Sequence, residues 1–210
     1  MRYANYTSAQ RTVYLLRHGD TRFDAVRRYI GWTDVPLSEY GRRQAGWWQK
    51  ELSPVHFDRI ICSDLERSAE TARIISEGRN LNIEFCSDLR EINLGKWDGL
   101  EMEQVRLRFP AEYEKRGINP AAFRPEQGES FFDLSGRVVP AFEKIAGSSC
   151  EGNILIVGHA GVNRVILCSL LEMPLSNLFR LGQDYGCLNV LSCGNDSIQV
   201  RSMNIVPDVR

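Results

Sequence analysis

Short runs of aliphatic and β-branched residues recur along the chain, and each is about as long as a typical buried strand. Such runs stand at 12–17 (TVYLLR), 59–63 (RIICS), 83–86 (IEFC) and 154–159 (ILIVGH). Two further runs, 188–193 and 197–204, flank Gly194-Asn195. Two strand-like runs on either side of a short Gly-Asn turn predict a β-hairpin.

The segments between the predicted strands are predicted helices. Ser38 is a suitable N-cap for the first helix, which runs to about Leu52 and is stopped by Pro54. The remaining predicted helices follow 59–63 or cover 102–109 (ended by Pro110), 130–146 (bent at Pro140) and 162–171. Strands that alternate with helices in this way predict an α/β fold. We therefore expect a three-layer sandwich with a mostly parallel central sheet, helices on both faces and a C-terminal antiparallel hairpin.

The domain organisation follows from length and local composition. A chain of 210 residues favours a single domain over 1–210. Residues 1–11 form a polar lead-in that we expect to be mobile. Residues 106–128 are rich in charge, Pro and Gly, and their arginines are either a solvated basic face or a substrate-covering lid. The C-terminal hairpin either covers a sheet edge or pairs with a second copy of the chain in a homodimer.

Composition and charge exclude several classes of partner. The formal net charge of -1 argues against a nucleic-acid partner, which usually requires a strongly basic domain. The longest apolar runs are about four residues and are too short to cross a bilayer. The N-terminal segment has no apolar core of signal-peptide length, so we expect a cytoplasmic protein. The six cysteines form no C-x-x-C pair, and we expect reduced, structural thiols rather than a metal site.

Two of the three histidines occupy matching positions in the pattern. His18 follows Arg17 at the end of the first predicted strand, and His159 ends another; both adjoin glycine. Ligands of open α/β sheets bind at the carboxyl ends of the strands. These two histidines are therefore candidate site residues, whereas His56 lies in a loop before a strand and is interpreted as a surface or packing residue.

Two more charged residues follow predicted strands. Arg67 comes near the start of the helix after 59–63, and Glu91 follows 83–86. Arg17, Arg67 and a second imidazole would neutralise a phosphoryl group without a metal. The His18 imidazole is a competent nucleophile, and a carboxylic acid such as Glu91 can protonate the leaving alkoxide. The set predicts phosphoryl transfer through a histidine, with no metal and no cofactor.

The sequence lacks the motifs of other enzyme classes that act on phosphate or ester bonds. A cysteine phosphatase needs a cysteine six residues before an arginine, but Cys62 is five before Arg67. A Walker P-loop needs Lys after its second glycine, but Trp47 follows Gly46. No G-x-S-x-G elbow is present.

The chain also resembles a known family over about residues 12–171. The resemblance is carried by L-R-H-G-D-T (16–21), Y-I-G-W-T-D-V-P-L-S-E-Y-G-R-R-Q-A (29–45), S-D-L-E-R-S-A-E-T-A (63–72), L-R-E-I-N-L-G-K-W-D-G (89–99), G-E-S (128–130) and V-G-H-A-G-V (157–162). These ordered blocks resemble the histidine phosphatase superfamily, the phosphoglycerate mutase-like proteins. The resemblance implies that His18 is the phosphorylated nucleophile and Glu91 the proton donor, and that the phosphoryl group is bound by Arg17, Arg67 and His159.

The resemblance also implies a wider substrate-binding set. Thr21 would add a hydroxyl to the phosphate pocket, and Gly31 would let backbone approach the substrate. Ala160 belongs to the same set through the V-G-H-A-G-V block. Trp32 and Trp97 are interpreted as packing residues, with stacking on a ring substrate as the alternative.

Within the family, G-K-W-D-G and Y-I-G-W-T-D-V-P-L-S look like the phosphatase branch, similar to α-ribazole phosphatases. We therefore expect a metal-independent phosphomonoesterase acting through phosphohistidine on small-molecule phosphate esters, with α-ribazole 5'-phosphate as a candidate substrate. One alternative is a cofactor-dependent phosphoglycerate mutase, which usually carries a longer middle insertion. Another is a phosphoprotein phosphatase or binding module, which the complete set of site residues disfavours.

Asp24 stands where the family often has Asn. An ionised carboxylate beside phosphate is repelled, so Asp24 either pairs with a nearby arginine or points away. If it shapes the substrate site, Asp24→Asn changes KM for phosphomonoesters, because it removes that charge. The measurement is KM across a substrate panel, and an unchanged KM for every substrate would remove Asp24 from the site.

Overall fold

A computed structural model describes residues 11–21, 26–147, 152–194 and 197–209. Its strands are β1 (Arg11–Arg17), β2 (Phe57–Cys62), β3 (Ile83–Phe85), β4 (Gly152–Gly158), β5 (Leu188–Cys193) and β6 (Ile198–Ile205). Its α-helices are α1 (Glu39–Glu51), α2 (Glu66–Ser76), α3 (Met102–Arg108), α4 (Pro110–Ile118), α5 (Phe131–Ala146) and α6 (Ala160–Leu170). Short 3₁₀ turns cover Ser87–Leu89, Gly95–Trp97 and Leu175–Arg180.

The strands form one mixed sheet in the order β3-β2-β4-β1-β5-β6. β1 and β2 both pair with β4 in parallel, and β3 pairs with β2 in parallel. β5 runs antiparallel to both β1 and β6, which confirms the predicted C-terminal hairpin. Register places Arg17 of β1 beside Gly158 of β4. The segments that follow β1 and β4 therefore leave the sheet side by side.

Alternating side chains of the central strands enter two separate cores. Val13 and Leu15 of β1 lie in one core with α5 and α6. Tyr14 and Leu16 lie in the other core with α1 and α2. Because successive side chains of a strand point to opposite faces, a strand buried on both sides is apolar throughout. The three-layer sandwich predicted from the sequence is confirmed.

Local boundaries differ from the predictions in two places. Arg11 belongs to β1, because it pairs with Gly152 and Cys193 at the start of the strand; the rest of the predicted lead-in lies outside the described residues. Pro110 ends α3 but also opens α4, since proline lacks only an N–H that the first turn of a helix leaves unpaired. The charged excursion is therefore partly helical.

The excursion is anchored by Trp97, a fully buried core residue. The Trp97 indole Nε1 donates to Glu112 of α4 at 3.0 Å. The Trp97 ring packs against Tyr29, Phe109 and Phe123, with centroids 5.2, 6.5 and 5.0 Å away. Trp97 thus has the packing role favoured for it over stacking on a ring substrate.

The expectations for the cysteines, for a membrane span and for a homodimer have different outcomes. The cysteines that the structure describes are free thiols, most of them buried, and Cys150 lies outside the described residues. Among the helices of the described ranges, none is long and apolar enough to cross a membrane. β6 is the edge strand on its side of the sheet. A homodimer formed through the hairpin stays a prediction.

Candidate active site

The two strand-end histidines lie together at the carboxyl edge of the sheet. His18 follows β1 and donates its backbone N–H to the Gly158 carbonyl of β4 at 3.0 Å. His159 is the N-cap of α6. The two imidazole rings are 5.0 Å apart between centroids, and both are buried. The structure therefore brings together the two histidines that the sequence separates by most of the chain.

Hydrogen bonds assign the His18 tautomer. Nδ1 lies 2.7 Å from the Gly19 carbonyl oxygen, which can only accept, so Nδ1 carries the proton. Nε2 is left with its lone pair and accepts from Arg67 Nε at 3.3 Å. Burial lowers the pKa of His18 well below its ordinary value of 6.5, and the charges of Arg67 and Arg17 lower it further. His18 is therefore a neutral imidazole whose unprotonated Nε2 is the nucleophilic nitrogen.

Arg67 lies in the first turn of α2 and is almost fully buried. Besides His18, its guanidinium donates to two backbone carbonyls, that of Gly31 at 2.6 Å and that of Thr33 at 3.1 Å. The Asp98 carboxylate accepts the backbone N–H groups of residues 31–33 at 2.7 to 2.9 Å. Asp98 thus fixes the loop whose carbonyls orient Arg67.

The structure gives Gly31 a packing reason to be glycine, while its approach to a substrate stays a prediction. A Cβ at this position would lie 2.4 Å from the backbone oxygen of Ile92. The glycine therefore permits close packing of the Arg67-binding loop on the segment that carries Glu91. What the structure shows of Gly31 is its contact with protein backbone.

Arg17 is held by a segment that carries no recognisable motif. Its Nη1 donates to the Gln183 carbonyl at 2.6 Å, and its Cζ lies 3.7 Å from the ring centroid of Tyr185. The Tyr185 ring is also 5.7 Å from the His18 ring. Neither Gln183 nor Tyr185 was a sequence candidate, because a backbone carbonyl and a stacked ring leave no spacing pattern.

Some buried polar atoms of His159 and Arg17, which lie beside His18, are unpaired in the part of the chain that the structure describes. Within the described chain, both ring nitrogens of His159 and the Nε of Arg17 are buried without a hydrogen-bond partner. Burial lowers the pKa of His159 well below 6.5, followed by the charges of Arg67 and His18. Buried polar groups are normally hydrogen-bonded. The unpaired donors of His159 and Arg17 fit an anion with several acceptor oxygens.

Glu91 completes the set. It is 9% exposed, and its carboxylate accepts the Ile92 N–H at 2.9 Å and the Gly161 N–H at 3.1 Å. The second bond ties Glu91 to the first turn of α6, directly after His159. Ala160 opens that helix, and a helix N-terminus favours anions.

A cavity of about 700 Å³ is lined in part by Arg17 and Tyr185, and the Tyr185 ring contacts His18. Thr21 lies in its wall, whereas Asp24 falls outside the described residues. No residue of 106–128 is among those that line it, so the predicted lid stays a prediction. The other lining residues are mixed in polarity: Val26, Arg27, Arg28, Ile30, Val35, Tyr40, Gln44, Met102, Asp184 and Val206.

The family model of the histidine phosphatase superfamily (branch 1) matches residues 13–206. The chain belongs to the histidine phosphatase superfamily. This confirms the resemblance seen in the sequence motifs. With the phosphatases that it resembles, membership makes this protein a phosphoric monoester hydrolase.

Curated relatives and solved structures agree. Phosphoserine phosphatase 1 of Hydrogenobacter thermophilus is 30% identical over 91% of this chain and 90% of its own length. The adenosylcobalamin/alpha-ribazole phosphatase of Salmonella typhimurium is 31% identical over 85% of this chain and 89% of its own. Bacillus stearothermophilus YhfR has a TM-score of 0.87 at 31% identity and covers 93% of this chain and 98% of its own.

Gly161 offers a test of the Glu91 position. A Cβ at residue 161 would lie 2.3 Å from Glu91 Oε1, so Gly161→Ala displaces the carboxylate. We expect kcat to fall by roughly 10²-fold, the lower end of what general acid–base catalysis contributes. The control is Gly46→Ala in α1, where a Cβ meets nothing within 4 Å. Equal activity of both variants would contradict this placement of Glu91.

The two buried histidines predict a pH-dependent stability. In the folded state the pKa values of His18 and His159 lie well below 6.5, while in the unfolded chain they are near 6.5. Below about pH 6.5 the unfolded chain binds protons that the folded protein does not. The free energy of unfolding therefore decreases as the pH is lowered, by up to about 1.4 kcal/mol per pH unit for each histidine.

Urea unfolding between about pH 5 and about pH 8 measures this slope. His159→Gln is expected to flatten it, whereas His56→Gln is not, because the His56 side chain is 89% exposed. A slope that is the same in all three proteins would show that the site histidines do not cause it.

Proposed function

We propose that this protein hydrolyses small-molecule phosphate monoesters through a phosphohistidine on His18, without a metal ion. One observation carries the proposal. The unprotonated Nε2 of a neutral, buried imidazole accepts a hydrogen bond from Arg67. Beside it, the ring nitrogens of His159 and the Nε of Arg17 have no partner among the described residues. A phosphoryl group supplies the missing acceptors and places phosphorus next to the nucleophile.

In the first step, His18 Nε2 attacks phosphorus as the ester P–O bond breaks. The leaving alkoxide takes a proton from the Glu91 carboxyl and departs as the alcohol. Arg17, Arg67 and His159 donate to the phosphoryl oxygens, on which negative charge is spread in the transition state. The Nε2 lone pair becomes the N–P bond, and the proton on Nδ1 stays there, hydrogen-bonded to the Gly19 carbonyl.

In the second step, water attacks the phosphohistidine. Glu91, now a carboxylate, accepts a proton from that water, and the N–P bond breaks to return neutral His18 and inorganic phosphate. The same carboxyl therefore serves once as acid and once as base. The backbone N–H of Gly161 holds it against the α6 terminus in either role.

The cavity beside Arg17 supports a substrate with a sizeable alcohol. Its volume of about 700 Å³ lies within the range of small-molecule sites. Val35, Met102 and Val206 give it apolar walls, and Arg27 is among its charged lining residues. α-Ribazole 5'-phosphate, with a ring system on a ribose phosphate, is the candidate that we favour.

The first experiment measures hydrolysis of p-nitrophenyl phosphate, α-ribazole 5'-phosphate, phosphoserine and 3-phosphoglycerate with excess chelator present. Wild type is expected to retain its activity, and His18→Ala to lose it by on the order of 10⁴-fold or more, because the nucleophile is gone. His56→Ala is the matched control for loss of a histidine. An acid-labile phosphoryl label that forms on wild type but not on His18→Ala identifies the phosphohistidine. Activity that requires a metal, or that His18→Ala retains, overturns the proposal.

A further inference from the structure

Glu91 lies on a segment that belongs to neither the sheet nor a helix. It follows the 3₁₀ turn Ser87–Leu89 and precedes the turn Gly95–Trp97. A segment of this kind has no ladder of backbone hydrogen bonds to hold it, so its carbonyls need other donors. The position of the proton donor therefore depends on side chains that reach this backbone from elsewhere.

We propose that Arg137 of α5, with Glu129, is a positioning residue that fixes the backbone on both sides of Glu91. This inference rests on the proposed function, in which Glu91 is the proton donor. Arg137 Nη1 donates to the Asp88 carbonyl at 2.7 Å and to the Arg90 carbonyl at 2.9 Å. Its Nη2 donates to the carbonyl of Glu91 itself at 2.9 Å.

Glu129 holds the backbone on the other side of Glu91, and Arg137 and Glu129 together are called the clamp below. Its carboxylate accepts Arg137 Nε at 2.8 Å and Nη2 at 2.9 Å. The same carboxylate accepts the Asn93 N–H at 2.9 Å, while the Glu129 N–H donates to the Asn93 carbonyl at 2.8 Å. The Arg137 and Glu129 side chains are 18% and 20% exposed, so the pair is partly shielded from solvent.

The geometry specifies arginine. These contacts use all five N–H donors of the guanidinium: Nε once, Nη1 twice and Nη2 twice. Lysine has three donors on a point charge and no planar fork, so it cannot reproduce the set. A purely electrostatic role would need only the charge.

The clamp also reaches the phosphate-binding side of the site. The Glu91 carbonyl accepts a second hydrogen bond, from Trp32 Nε1 at 2.8 Å. Trp32 lies in the loop that Asp98 holds and whose Gly31 carbonyl orients Arg67. One backbone oxygen thus joins the proton donor to the guanidinium beside His18.

A second arginine provides a matched control. Arg79 likewise donates to backbone carbonyls, those of Leu52, Val55 and Ile75, at 2.6, 2.6 and 3.4 Å. It packs on Phe57 in the core of the opposite face and contacts no site residue described above. Arg137→Lys and Arg79→Lys therefore both remove hydrogen bonds to backbone carbonyls, but only Arg137→Lys acts on the segment of Glu91.

The leaving group separates positioning from a general structural effect. p-Nitrophenolate departs readily without a proton, whereas an alkoxide requires one. For Arg137→Lys we expect the single-turnover rate of His18 phosphorylation by an alkyl phosphate to fall roughly 10- to 10²-fold, as for a catalytic group misplaced by about 1 Å. The single-turnover rate of His18 phosphorylation by p-nitrophenyl phosphate should fall less than about threefold, and KM should change little. Arg79→Lys should leave the ratio of the two rates at the wild-type value.

Glu129→Gln is the second variant, because it keeps an acceptor for Asn93 but weakens the hold on Arg137. It should move the ratio in the same direction by a smaller factor, and urea midpoints show whether each variant is folded. A ratio unchanged in both folded variants, or changed equally by Arg79→Lys, overturns the inference. Failure of the proposed function is seen separately, as wild type that forms no phosphohistidine or His18→Ala that stays active.

Discussion

The constraint on which this structure depends is a concentration of positive charge and imidazole in one buried pocket. Arg17 and Arg67 donate there to backbone carbonyls of Gln183, Gly31 and Thr33. Carbonyl oxygens orient a guanidinium without cancelling its charge, so the electrostatic attraction for an anion is retained. Burial, together with these charges, keeps the imidazoles neutral, which preserves the lone pair that phosphoryl transfer needs.

Carbonyl partners of this kind must themselves be held in place. The loop that serves Arg67 is held by the Asp98 carboxylate, and the segment that carries Glu91 is held by Arg137 and Glu129. The segment that serves Arg17 is held through the Gln183 side chain, which bonds to Asn163 and Asn189 at 3.0 and 2.8 Å. Irregular backbone at the strand ends is thus held in place by buried or half-buried polar side chains, as catalytic groups require.

The sheet contributes the register on which this arrangement is built. Because β1 and β4 are parallel neighbours, the segments after Arg17 and Gly158 emerge at one edge, and the two imidazoles meet. Glycine permits the closest approaches. At Gly161 the Glu91 carboxylate occupies the space of a side chain, and at Gly31 the Ile92 carbonyl does so.

The sequence by itself determined the elements and the principal chemistry. Apolar runs identified the strands, Ser38 and Pro54 bounded α1, and residues directly after strands identified His18 and His159, because periodicity and strand order are local properties. Tertiary structure alone decided the rest. Pro110 both ends α3 and opens α4, Gly31 packs against Ile92, and Gln183, Tyr185 and Arg137 hold the site. Their contacts are rings and backbone carbonyls supplied by distant segments, and such contacts leave no spacing in the sequence because any residue type carries the same carbonyl.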